Sequence, residues 1–197
     1  MRRLVLCLML PFLLAGCAVK SVYAPDAEVQ QAAYRADGPP ALTLFTMINN
    51  RSGEGGHAAL MVNGSQRVMF DPAGSWFNKA VPERNDVLFG VTPRVVELYT
   101  DYHARETYHV VTQTVVVTPE AAELALRLVQ ENGPVGQGRC SNSISRILAQ
   151  VPGFTTLGGS IFPARLMRNF GALPGVQTQT FRDSDPDDNK YKLAEQG

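Results

Sequence analysis

Residues 57–71 read His57-Ala58-Ala59-Leu60-Met61-Val62-Asn63-Gly64-Ser65-Gln66-Arg67-Val68-Met69-Phe70-Asp71, two apolar runs on either side of a turn. Residues 57–62 and 67–70 are the strand candidates. Asn63-Gly64 is a hairpin signal, because both residues tolerate the positive φ of a tight turn, and Ser65-Gln66 lengthens the loop. Asp71-Pro72-Ala73-Gly74 breaks the returning strand. The hairpin therefore brings Asp71, at the end of one strand, back beside His57, at the start of the other.

Reading outward, residues 41–48 (ALTLFTMI) form a further β-prone apolar run. The loop Ser52-Gly53-Glu54-Gly55-Gly56 precedes His57, and its glycines permit close approach of other segments. Residues 75–93, with Trp76 and Phe77, look irregular. Residues 95–99 suggest a short strand or a helical turn. Residues 106–117 (ETYHVVTQTVVV) are β-branched and predict a long strand. The pattern then turns helical. Thr118-Pro119-Glu120 places an N-cap, a first-turn proline and a first-turn acid in order. Ala121, Leu124, Ala125 and Leu128 share a face, and Gly133 closes the helix. After a glycine-rich loop to Gly138, a second helix is expected over 140–150, with Cys140, Ile144, Ile147, Leu148 and Val151 on one stripe. Pro152-Gly153 ends it. Residues 162–167 predict a short third helix.

The N-terminus has the form of an export signal: Arg2 and Arg3, then an apolar run over 4–14 too short to span a bilayer. Leu14-Ala15-Gly16-Cys17 resembles a bacterial lipobox. That resemblance implies removal of residues 1–16 and attachment of diacylglycerol to Cys17, which would hold the protein to a membrane. Ala18, in place of Asp, implies sorting to the outer membrane, facing the periplasm. Residues 17–40 read as a tether with a short helix near 26–34, residues 41–181 as one domain, and residues 182–197 as a polar, disordered tail. Lys and Arg together number 18, as do Asp and Glu, so no basic surface argues for nucleic acid.

The chain has three cysteines. Cys7 lies in the removed segment and Cys17 is the lipid acceptor, which leaves Cys140 as the free thiol of an exported protein. A helix N-terminus lowers a thiol's pKa, and Arg139 adds positive charge. A cysteine on an apolar stripe is equally a small core residue. His57 is the candidate base. His109 is read as a strand residue facing solvent or a polar partner, and His103 as exposed loop. Asp71 could orient the His57 imidazole, as the third member of a triad does, or serve only as a turn residue before Pro72. One cysteine and three scattered histidines give no metal-ligand spacing, and the glycine-rich loop lacks the Gly-Lys-Ser/Thr ending of a phosphate loop. No cofactor is implied.

The order of parts over residues 41–170 resembles the circularly permuted papain-like hydrolases of the NlpC-type superfamily, which has lecithin retinol acyltransferase-like proteins among its relatives. The residues that carry the likeness are Gly56-His57-Ala58-Ala59-Leu60-Met61-Val62, the glycine hairpin, Asp71, and the later Cys140 opening a helix. Uncharacterised membrane-associated families of this group carry Asn-Cys where this chain has Arg139-Cys140. The resemblance implies an α+β fold with a central antiparallel sheet and the cysteine helix packed on one face. It implies Cys140 as nucleophile, His57 as general base and acid, Asp71 as orienting residue, and the Cys140 N–H as an oxyanion donor. Gln137, Ser141 and Asn142 are near in sequence for a second donor. Two functions follow as expectations. One is a cysteine hydrolase or acyltransferase that attacks an amide or ester through a thioester, its substrate a peptidoglycan peptide or a lipid acyl group. The other is a non-catalytic envelope lipoprotein that keeps the fold as a binding or assembly module. The segments 76–77 and 157–162 could line an acyl groove or belong to the core.

Overall fold

The computed structural model describes residues 21–195, so the export segment and Cys17 lie outside the described residues. The chain forms one seven-stranded antiparallel sheet. Its strands are β1 (Ala41–Asn49), β2 (Gly55–Asn63), β3 (Arg67–Phe70), β4 (Glu83–Arg84), β5 (Val87–Phe89), β6 (Tyr108–Val116) and β7 (Gln177–Phe181), in the order β4-β5-β3-β2-β1-β6-β7. Six helices complete the described residues: α1 (Asp26–Ala32), α2 (Pro93–His103), α3 (Pro119–Glu131), α4 (Cys140–Leu148), α5 (Pro163–Gly171) and α6 (Tyr191–Glu195). The protein is thus mixed α and β, with the cysteine-bearing helix α4 packed on one face of the sheet.

Strand alternation sorts the core into two layers. Leu42 and Leu44 of β1, Leu60 and Val62 of β2, and Val68 and Phe70 of β3 face α3, α4 and α5. Phe45, Met47, Ala59 and Met69 face the other way, onto Trp76 and onto Tyr99 and Tyr102 of α2. Because β1 is covered on both sides, seven consecutive residues of it are buried. β7, by contrast, is an edge strand of alternating Gln and Thr and is exposed throughout.

The expected hairpin of residues 57–71 forms, with Leu60 opposite Phe70 and Asn63 opposite Arg67. Its loop is pinned by Glu123 of α3, which accepts from the Ser65 N–H and hydroxyl. Helices α3, α4 and α5 also stand where the caps and glycines put them; Thr118 Oγ1 accepts from the Ala121 N–H at 3.2 Å.

Four regions differ from expectation. The span 75–93 holds two short strands, β4 and β5, joined by Asn85 and Asp86 at positive φ, a two-residue hairpin turn. Residues 95–99 belong to the eleven-residue helix α2, whose Thr92-Pro93 start repeats the Thr118-Pro119 signal. The segment 21–40 runs along the domain: the Arg84 guanidinium donates to Ala24 O at 2.7 Å and pairs with Asp26, and Ala36 is buried. The polar tail is held rather than loose. Thr107 bonds Asp187, Lys192 pairs with Asp101 and Asp185, Asn189 donates to Tyr102 O at 2.8 Å, and Leu193 enters the α2-side core. Composition missed this because one buried leucine and a few ion pairs leave no periodic signal.

Candidate active site

The site is built where β3 ends and β2 continues. Between Met47 and Ile48 the β1–β2 register slips by one residue, which makes a β-bulge immediately before His57. A bulge of this kind re-aims the next side chain. Two glycines make it possible. A Cβ at Gly55 would sit 2.5 Å from the Ala164 N of α5, and one at Gly56 would press on the Tyr108 ring. β3 pairs with β2 only from Leu60 onward, so the ladder position beside Ala58 is unfilled by strand. The start of the cysteine helix packs against β2 there, close enough that the His57 ring and the Ala58 and Ser141 N–H groups all act on the Cys140 thiol. Helix α4 begins at this point: the first N–H to close an intrahelical bond is that of Ser143, onto Arg139 O at 2.9 Å.

The other side of His57 is fixed by Asp71. His57 Nε2 lies 2.6 Å from Asp71 Oδ1, and the Tyr99 hydroxyl donates to the same oxygen at 2.7 Å. Asp71 is 4% exposed, so its charge is desolvated and depends on these partners. A Cβ at Gly74 would overlap the Asp71 carboxylate, so the turn after Asp71 requires glycine. Asp86, in the β4–β5 turn, ties this turn to the loop before Cys140. Its Oδ2 accepts from the Ala73 N–H at 3.2 Å and the Val135 N–H at 2.7 Å. Sequence reading missed Tyr99 and Asp86. The i, i+4 spacing of Tyr99 and His103 behind a Thr-Pro helix start was the available signal for the first.

The charges follow from this packing. Burial disfavours a charged His57, but the Asp71 carboxylate and the hydrogen bonds to Asp71 and Cys140 outweigh it, and the pKa rises from 6.5 to about 10. Burial likewise raises the Cys140 thiol, yet the hydrogen bond and positive charge of His57, with the Ala58 and Ser141 N–H groups, bring it below the ordinary thiol value. Asp71 also ends below its usual value, burial being outweighed mainly by His57. The arrangement favours thiolate, imidazolium and carboxylate in a row.

The three residues Cys140, His57 and Asp71 are therefore brought together. His109 pairs with polar groups at the surface, as expected, within 2.6 Å of Asn50 Oδ1. His103 is not in an exposed loop. It ends α2, is 8% exposed, and its Nδ1 lies 2.7 Å from Tyr99 O. Gln137 is committed through its Nε2 to Ala73 O at 3.3 Å, and Ser141 is fully buried. A cleft of about 180 Å³ opens beside His57, lined among others by Gly56, Ser75, Tyr102, His103 and Arg105. Trp76 is core, set edge-on to Tyr99 at 5.5 Å, while Phe77, Ile161 and Phe162 are exposed away from this cleft. A roomier apolar groove, about 590 Å³, lies at the opposite end of the sheet against Val115, Val117, Phe154 and Leu173. Among the described residues, Asp101, Asp183 and Asp185 lie within 4.8 Å of one another, and two of them, Asp101 and Asp185, pair with Lys192. No described helix is long and apolar enough to cross a membrane. No family model, curated protein or solved structure matches the chain.

Proposed function

We propose that the protein is a cysteine hydrolase or acyltransferase with a permuted papain-like fold, anchored through lipidated Cys17 to the outer membrane and facing the periplasm. The observation that carries the reading is the 2.6 Å contact of His57 Nε2 with Asp71 Oδ1, on a ring whose charge lowers the pKa of the Cys140 thiol at a helix start. The Cys140 thiolate attacks an amide or ester carbonyl. The carbonyl oxygen, now negative, is met by the Cys140 N–H at the start of α4. His57 gives its proton to the leaving amine or alcohol, and a thioester on Cys140 remains. Water or an amine then attacks the thioester, His57 takes its proton, and the thiolate returns. Asp71 holds the imidazole orientation and stabilises its charge throughout. The substrate classes that fit an envelope anchor are peptidoglycan peptides and lipid acyl groups.

The rate of Cys140 alkylation by iodoacetamide across pH tests this. A thiolate held by His57 stays reactive well below the ordinary thiol pKa of about 8.5. His57→Ala should return the profile to that of a free thiol. With an activated ester, Cys140→Ala and His57→Ala should each lower turnover by at least about a thousandfold with the fold intact. A thiol that is inert at every pH, with no Cys140-dependent turnover, would identify the non-catalytic module instead.

A further inference from the structure

The segment before β1 sets how far the domain can stand from its anchor. From Ser21 onward the chain is fixed to the β4–β5 hairpin. Ser21 Oγ donates to Asn85 Oδ1 at 2.7 Å, the Asn85 N–H to Val22 O at 2.9 Å, and the Ala24 N–H to Glu83 O at 2.9 Å. Residues 18–20 alone separate Ser21 from Cys17, and four Cα steps reach at most about 14 Å. A domain of this size is about 40 Å across. Lipid on Cys17 therefore keeps the β4–β5 turn, and not the far end of the sheet, next to the membrane.

That turn touches the cysteine site. Asp86, the residue after Asn85, accepts the Asp71 N–H on its carbonyl at 2.8 Å and the Ala73 N–H on its carboxylate at 3.2 Å. Pairing of β4 with β5, β5 with β3 and β3 with β2 puts Arg84, Asp71 and His57 at one end of the sheet, with three strand steps, about 14 Å, from β4 to β2. Exposed apolar side chains stand at the same end. Tyr23 bridges to Arg84. Phe77 follows Ser75 of the cleft by two residues. Ile161 and Phe162 precede Pro163, which packs so closely on Gly55 that a Cβ there would lie 2.6 Å from the proline. Tyr23, Phe77, Ile161 and Phe162 are each more than half exposed. Such residues scattered singly are ordinary, but these four flank one site at the end to which the lipid is tied.

We propose that this end of the sheet docks on the membrane that holds Cys17, with Phe77, Ile161 and Phe162 in the acyl boundary and Tyr23 at headgroup level. The inference rests on the reading of Cys17 as the lipid anchor. Apolar side chains gain by leaving water for that boundary, and a tyrosine keeps its hydroxyl wet there. The cysteine site then opens at the lipid–water boundary.

Mature protein reconstituted in vesicles of phosphatidylethanolamine and phosphatidylglycerol tests this. Cys7 is removed with the export segment and Cys17 is blocked by lipid, so in a Cys140→Ser background a new cysteine is the single labelling site. Phe77→Cys and Phe162→Cys, each carrying the fluorophore NBD, should be quenched by doxyl lipids from a depth of about 5–10 Å into the headgroup and acyl boundary. Val116→Cys, an exposed position about 27 Å along β6 from Tyr108, should be quenched by aqueous iodide alone. Labels at 77 and 162 that behave like the one at 116 overturn the docking. Labels that shift to the blue yet escape doxyl lipid mean that protein covers this face, and overturn the lipid assignment. None of these readouts needs a working Cys140, so either failure leaves the cysteine chemistry standing. Mature protein whose intact mass shows no lipid on Cys17 overturns the anchor reading, and this inference with it.

Discussion

At Asp71 a single carboxylate oxygen serves both the His57 ring and the Tyr99 hydroxyl. That charge is what lifts the His57 pKa against its own burial. The sign of the consequence is definite. Protonated His57 stabilises the folded chain fully below its unfolded pKa of 6.5, and that contribution is lost as pH rises through about 10. Activity that needs the imidazolium as proton donor falls over the same upper range. Asp71→Asn keeps an acceptor but removes the charge. The alkaline limb of kcat/KM for an activated ester should then move to lower pH, and the variant should lose less activity than His57→Ala. An alkaline limb unmoved in Asp71→Asn would exclude Asp71 as the source of the shift.

At the level of elements, the two Thr-Pro helix starts do the same local job with different consequences. Thr118 caps the end of α3 beside the apolar groove, whereas the other end of α3 reaches the cysteine helix, where Asn132 Oδ1 accepts from the Ser143 hydroxyl at 3.3 Å. Thr92 caps α2, accepting from the Val95 N–H at 3.3 Å, and α2 carries both Tyr99 and His103. Thr92→Ala and Thr118→Ala should each cost about 1 kcal/mol of stability by losing an N-cap. Only Thr92→Ala should also lower turnover, because it loosens the helix that holds Asp71. Urea unfolding and ester turnover on both variants check this, and equal turnover losses would speak against a positioning role for α2.

Over the whole molecule, the segments flanking the sheet complete the α2 side of it. Asn189 holds Tyr102 O, Leu193 fills the core beside α2, and Arg105 of the cleft pairs with Asp187 at 3.7 Å. Removal of residues 182–197 should lower the thermal midpoint, since burial of Leu193 alone contributes about 1.5–3 kcal/mol. The same deletion should reduce turnover through the end of α2. A midpoint equal to that of the full chain would show the tail to be dispensable. The packing of Ala36 and Asp26 gives the segment before β1 a similar structural part.

Local chemistry alone determined much of this protein. Asn63-Gly64, Thr118-Pro119, Gly133 and Pro152-Gly153 mark turns, caps and breaks, and these depend on φ preferences and hydrogen bonds within a few residues. The alternation of residues 57–71 likewise placed His57 and Asp71 at one end of a hairpin, and the helix pattern after Gly138 put Cys140 at a helix start. Tertiary structure decided what those residues meet. The Ala58 N–H acts on the Cys140 thiol, far away in sequence, because β3 pairs with β2 no further than Phe70 opposite Leu60 and leaves room beside Ala58. Tyr99 and His103 joined the site because α2 crosses the opposite face of the sheet, and Asp86 because its hairpin turn touches two distant loops. Their burial, and therefore their charge, is a property of what packs around them. A neutral His103 and a protonated His57 have the same side chain in the sequence; His57 is bonded to the Asp71 carboxylate, whereas His103 is buried beside the His57 charge and bonded only to a carbonyl.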